Sequence, residues 1–254
     1  MTLEDDEVVH VEGPVTPGDV LFVCEHASNH FPDCFGTLGL SDDVRESHVA
    51  WDPGALALTR LLAQRFGSTL VAGGVSRLLY DCNRPPEAES AIPQRSEVFD
   101  IPGNVDLSAD ARDARVQQIY MPFRAGVEQV LVLMEPKALV TVHSFTPVYH
   151  GVPRAVEIGV LHDRDTRLAD GMLEALSDSE HDVQRNAPYG PEDGVTHSLQ
   201  LYGLKNKVAN VMLEVRNDLL RTEAQIAHMA DVIEGALRAG LHTLADNSTM
   251  EEGL

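Results

Sequence analysis

Short apolar runs rich in β-branched residues, set apart by stretches of helical length, constrain this chain more than any other feature. DVLFVCE (19–25), STLVAG (68–73), RLLYD (77–81), ALVTVHS (138–144), AVEIGVL (155–161) and ANVMLEV (209–215) all have strand length. Most are nearly continuous in apolar character, the mark of strands covered on both faces. Between them, Asp52-Pro53 precedes ALALTRLLAQRF and then Gly67, which predicts a helix with Asp52 as N-cap, proline at its first position and a glycine stop. A long helix is predicted over 109–134, kinked by Pro122, with further helices near 166–177, 195–204 and 222–244. Strands alternating with helices imply an α/β protein whose mostly parallel sheet is sandwiched by helices. No repeat or linker divides the chain, so one domain over 1–254 is expected, with frayed ends at 1–17 and 246–254 where polar residues lack periodicity.

Charge and cysteine content narrow the function classes. Lys plus Arg number 19 against 40 Asp plus Glu, a formal charge of −21, and so acidic a surface repels phosphate backbones and anionic headgroups. Nucleic acid and membrane partners are therefore not expected. No apolar run reaches the roughly 18 residues of a spanning helix, and the N-terminus, MTLEDDEVVH, is acidic where a secretory signal begins basic; both point to a cytoplasmic protein. Cys24, Cys34 and Cys82 lack CxxC spacing, so any metal must be held by histidines and carboxylates. Cys24 reads as a small strand hydrophobe.

In open α/β sheets the ligand crevice lies beyond the carboxyl ends of the strands, where an apolar run turns polar. Three such ends carry chemistry: Glu25-His26-Ala27-Ser28, Val142-His143-Ser144 and Glu214 within MLEVRND, joined by His48 and Asp52 in HVAWDP. Two neutral imidazoles and a carboxylate form a common ligand set for a catalytic zinc, which retains a position for water and acidifies it. His26 and His143 supply the nitrogens in this reading, and Asp52 the oxygen, with His48 and Glu25 as rivals. A further carboxylate must take the proton of the attacking water, and Glu214, desolvated at the end of a buried strand, suits that task. The plainer alternatives are hydrogen-bonded structural histidines, Asp52 as a helix cap, and Glu214 paired with Arg216 or Arg77.

Taken together, VCEHASNHFP (23–32), HVAWDPGA (48–55), SRLLYDCNRP (76–85), TVHSF (141–145), NAPYGPEDGVTH (186–197) and MLEVRND (212–218) resemble the N-formylglutamate amidohydrolase family. The resemblance runs from about residue 19 to 240 and implies the zinc exopeptidase and amidase fold, a three-layer α/β/α sandwich with one catalytic zinc per chain. His26, Asp52, His143 and Glu214 match, in order, the stations that similar zinc amidases of cell-wall metabolism place along their strands. The first station here reads Glu-His where those enzymes have Gly-His, which leaves Glu25 as an extra carboxylate. The implied reaction is hydrolysis of N-formyl-L-glutamate to formate and glutamate, a terminal step in one route of histidine degradation.

Such a substrate carries two carboxylates and needs local cations. Lysine is confined to Lys137, Lys205 and Lys207, so arginine must supply them. Asn83-Arg84 resembles the asparagine–arginine pair with which carboxypeptidase-like relatives clamp a carboxylate, and Arg77 and Arg154 are further candidates. The alternative is that these arginines neutralise Asp81, Glu87 and Glu89. His197 is either a donor to the oxyanion of the tetrahedral intermediate or a structural histidine near a helix start. Two other functions compete: an amidase or peptidase acting on a different N-acyl amino acid or peptide fragment, and a non-catalytic ligand-binding relative. Retention of both histidines and both carboxylates favours catalysis.

Overall fold

The computed structural model describes residues 8–251, and side chains through residue 246. Seven strands, β1 (Val9–Glu12), β2 (Val20–Cys24), β3 (Thr69–Gly73), β4 (Ala138–Phe145), β5 (Ile158–Leu161), β6 (Val183–Arg185) and β7 (Ala209–Arg216), form one sheet in the order β1-β3-β2-β4-β7-β5-β6. Neighbours β3, β2, β4 and β7 run parallel, while β1 on β3 and β5 on β7 are antiparallel. Strands β2, β3, β4 and β5 are buried along their whole length, as continuous apolar runs require.

Helices cover both faces. On one, α1 (Ala55–Phe66), α4 (Arg167–Ala175) and α5 (Glu223–Glu251) join a core that includes Phe22, Val140, Val142, Leu213 and Ile233. On the other, α2 (Ala109–Arg115) leads through a π-helical turn into α3 (Met121–Met134), whose Phe123, Val127 and Val130 pack against Leu21, Val23, Val71 and Leu139. The result is the expected three-layer α/β/α sandwich with a mixed, mostly parallel sheet. No helix among the described residues is long and apolar enough to cross a membrane.

Four expectations are corrected. Residues 77–81 form no strand: the apolar run is a buried loop, tied down by Ser76 Oγ to Ala50 O at 2.8 Å and by the Asp81 amide to Ala91 O at 2.8 Å. Burial alone produced its apolar character, which periodicity cannot separate from a strand. Parts of both expected frayed ends are in regular structure, because β1 pairs with β3 and α5 runs to Glu251; residues 1–7 and 252–254 lie outside the described residues. The 109–134 helix is interrupted by the π-helical turn at Val116–Tyr120, just ahead of Pro122. Finally, α1 starts at Ala55 with Gly54 as its cap residue, so Asp52 is not the N-cap. Gly54 has φ +84°, and an added Cβ there would collide with Leu220. That tight turn carries the chain into α1 while leaving the Asp52 carboxylate free to point elsewhere.

Candidate metal and hydrolytic centre

The carboxyl ends of β2, β4 and β7, three adjacent parallel strands, converge on one cleft of about 560 Å³. His26 follows β2 by one turn, while His143 and Glu214 stand directly opposite each other in the β4–β7 register. Asp52 arrives from the loop before α1, its amide bonded to His26 O at 2.9 Å. All four side chains are buried, and all four line the cleft.

His26 Nδ1 lies 3.2 Å from Asp52 Oδ2, His143 Nδ1 lies 2.9 Å from the same oxygen, and the two Nδ1 atoms are 3.1 Å apart. Each imidazole is backed by a carboxylate at its far nitrogen. His26 Nε2 donates to Asp81 Oδ1 at 2.7 Å, and His143 Nε2 faces Glu25 Oε2 at 3.1 Å, outside hydrogen-bond alignment. In the tautomer that carries its proton on Nε2, each imidazole aims its Nδ1 lone pair at the Asp52 oxygen. Three electron-pair donors meeting within 3.2 Å repel one another unless positive charge lies among them. Ligands about 2.0–2.1 Å from a tetrahedral zinc stand about 3.3–3.4 Å from each other, close to the observed triangle. Histidines oriented by a carboxylate behind them are the usual support of such a centre. His26, Asp52 and His143 therefore fit a divalent metal in both chemistry and spacing.

The rivals to Asp52 sit elsewhere. His48 Nε2 is engaged by Glu97 Oε2 at 2.8 Å. Glu25 occupies the position behind His143, which accounts for the extra carboxylate of the Glu-His turn. Burial pushes Glu25 upward, yet the adjacent His143 holds it below the usual carboxylate range. Burial likewise opposes ionisation of Asp52, but His26, His143 and Arg77 overcome it and keep the group far below its ordinary value. Glu214 behaves oppositely. Burial, reinforced by the Asp52 charge, pushes it up to about 7 despite the nearby histidines, and its buried Oε2 has no hydrogen-bond partner. An unpartnered carboxylate oxygen on a residue that lines the cleft beside His26, Asp52 and His143 can accept a proton.

Among the arginines the structure separates three roles. Arg77 donates to Asp52 Oδ1 at 3.3 Å and to Asp81 Oδ2 at 2.7 Å, linking the Asp52 carboxylate to the one bonded to His26. Arg84 has no carboxylate partner among the described residues; its Nη1 donates to the carbonyls of Gly194 at 2.6 Å and Asn83 at 3.1 Å, and it faces the cleft. Arg154 also has none: its guanidinium lies 4.4 Å from the Tyr149 ring centroid, 4.8 Å from Tyr189 and 5.5 Å from Phe145, with Nη1 buried and unbonded. Neither guanidinium forms an ion pair with a carboxylate among the described residues, and both residues line the cleft. Asn83 is committed at both ends, donating to Val195 O at 2.6 Å and accepting from the Ser198 amide at 3.0 Å, so it staples the 195–198 loop.

His197 is not brought to the cleft lining; its Nε2 lies 2.9 Å from Tyr120 Oη, and burial lowers its pKa. This is the geometry of its structural alternative. Cys24 is buried and its thiol raised by desolvation, as an inert strand residue would be. Asp81, Tyr149 and Tyr189 went unassigned at the site from the sequence. The DCN turn after an apolar run was a usable signal for Asp81, but nothing local marks the two tyrosines.

The N-formylglutamate amidohydrolase family model matches residues 18–221. The crystal structure of a gene product from Agrobacterium tumefaciens is 50% identical, with a TM-score of 0.93 over 96% of this chain and 100% of that one. N-formylglutamate amidohydrolase from Ralstonia eutropha JMP134 shares the fold at a TM-score of 0.64 and 20% identity, over 94% of this chain and 99% of that one. A comparison with curated proteins finds no significant match.

Proposed function

Because the chain belongs to the N-formylglutamate amidohydrolase family, we propose that this amidohydrolase releases formate from N-formyl-L-glutamate, using one zinc ion held by His26, Asp52 and His143. The observation that carries the reading is the convergence of two carboxylate-backed imidazoles and Asp52 beside the unpartnered oxygen of Glu214. Zinc bound by this donor set supplies Lewis acidity, activating water and polarising an amide carbonyl. Glu214 takes a proton from the attacking water and delivers it to the amide nitrogen as the C–N bond breaks, yielding formate and the free amine of glutamate. Arg77 does not reach for substrate in this scheme; it holds Asp52 and Asp81 in place.

Arg154 and Arg84 bind the substrate carboxylates. The rings of Phe145, Tyr149 and Tyr189 surround the Arg154 guanidinium, a planar donor suited to a two-point contact with a carboxylate. Asn83 positions Arg84 through the 194–198 loop, and His197 contributes through Tyr120 and that same loop. The reaction fits a cytoplasmic terminal step of histidine degradation.

Elemental analysis of purified protein, combined with formate release from N-formylglutamate, tests this directly. N-acetylglutamate and N-formylaspartate serve as comparisons. The expected result is one catalytic zinc and a clear preference for N-formylglutamate in kcat/KM. Zinc-loaded protein that hydrolyses N-acetylglutamate faster, or releases no formate, overturns the substrate assignment.

A further inference from the structure

A second histidine cluster lies away from the cleft, where the segment leading into edge strand β6 meets the first turns of α5. His181 Nδ1 bonds Glu157 Oε2 at 3.1 Å, and the same oxygen accepts the Asp182 amide at 3.1 Å. Glu157 is itself fixed through its other oxygen by Arg216 Nη2 at 3.1 Å. With its Nδ1 proton directed to Glu157, His181 presents the lone pair of Nε2 outward, and 3.2 Å away it meets His228 Nε2. Glu180 Oε1 stands 3.4 Å from that His228 nitrogen. The His181 side chain is only 10% exposed, whereas His228 and Glu180 are open to solvent, so a rigid inner ligand faces two adjustable outer ones.

We propose that Glu180, His181 and His228 form a second divalent-metal site, with zinc the ion it takes most readily. The argument is independent of the hydrolytic reading. Two imidazole nitrogens directed at each other with a carboxylate alongside form a nitrogen-rich set suited to zinc and its late first-row neighbours, and unsuited to calcium or magnesium, which require oxygen. Glu157 has the part that orienting carboxylates have behind metal-bound histidines, fixing the tautomer and ring angle of His181 before any ion arrives. The three ligands come from segments 47 residues apart in the chain, so an ion here ties the approach to β6 to α5. Because such a site exists only in the folded state, occupancy stabilises the fold in proportion to metal concentration.

The test compares wild type with His228→Ala, which removes an exposed side chain and spares the core. Both are dialysed against micromolar zinc at pH 7.5, and bound metal is counted. Wild type should bind one equivalent more than the variant, whatever the hydrolytic centre holds, and formate release should be the same in both. Adding zinc should raise the melting temperature of wild type beyond its effect on the variant. Glu157→Gln should weaken the extra equivalent by about 10–100-fold while leaving the ligands in place. Equal stoichiometry in wild type and His228→Ala overturns the proposal, since it means that a proton shared between the two Nε2 atoms accounts for their approach.

Discussion

Replacing Asp81 with asparagine perturbs the proposed hydrolytic centre without touching any of the three proposed metal ligands. Asp81 Oδ1 accepts from His26 Nε2 at 2.7 Å, while Oδ2 accepts from Arg77 at 2.7 Å. An asparagine of nearly the same shape can satisfy one of these donors with its carbonyl, but its amide then confronts the other donor. The change also removes the negative charge that draws the proton to Nε2 and keeps the Nδ1 lone pair available. Burial opposes the Asp81 charge, but His26 and Arg77 outweigh it and hold the group well below the usual carboxylate range, so it is ionised throughout the working range. A hydrogen bond to a charged group contributes about 1.5–3 kcal/mol. At about 1.4 kcal/mol per decade this corresponds to roughly 10–100-fold in metal affinity, the range seen for orienting carboxylates elsewhere. Zinc affinity of Asp81→Asn, measured by competition with a chromogenic chelator, should fall by that factor. At saturating zinc kcat should recover most of its value, because Glu214 is undisturbed. Melting temperatures of both proteins in excess chelator separate a folding defect from a metal defect. Zinc affinity within twofold of wild type would show that Asp81 serves only to neutralise Arg77, and the orienting role would be wrong.

Other expectations follow from the same geometry. His143→Ala should lose both zinc and turnover, and a variant retaining full occupancy at the hydrolytic centre removes His143 from the ligand set. Glu214→Gln should keep zinc but lower kcat by about 10² to 10⁴, the usual cost of a missing general base; loss of zinc instead would make Glu214 a ligand. Since burial raises Glu214 to about 7, the group loses its proton, and so becomes a base, as pH rises toward that value. The acid limb of kcat/KM should therefore lie at or below about pH 7, bound zinc drawing it lower, and should vanish from the residual rate of Glu214→Gln. Arg154→Ala should lower kcat/KM for N-formylglutamate by at least about tenfold, with Arg154→Lys recovering part of it; equal losses on a substrate amidated at its carboxylates would make Arg154 structural. Asn104→Ala should cost about 2–4 kcal/mol in urea unfolding, because Asn104 donates to Leu78 O and Pro93 O and accepts from buried Arg115.

The sequence by itself determined the layered architecture and the places where its chemistry had to sit. Five of the six apolar runs became strands of the sheet, since a segment covered on both faces must be apolar along its length and that requirement is local. His26, His143 and Glu214 could be found because a polar residue at the end of such a run faces the crevice by topology, without knowledge of any partner. What stands behind those residues was decided only by tertiary structure. The bond of His26 to Asp81 joins positions 55 residues apart, and the contact of Glu25 with His143 joins two strands through their pairing. The same holds for Arg154, where a cation–aromatic cluster assembles from β4, the 148–153 hairpin and the loop at Tyr189, and for 77–81, whose apolar residues line a buried turn. Hydrophobic periodicity reports which side of an element is buried; it carries no record of which distant carboxylate reaches a given imidazole. Orientation, and whether Asp52 or Glu25 meets both imidazole Nδ1 atoms, depend on separations of about 3 Å that arise only when β2, β4, β7 and the loop before α1 pack together.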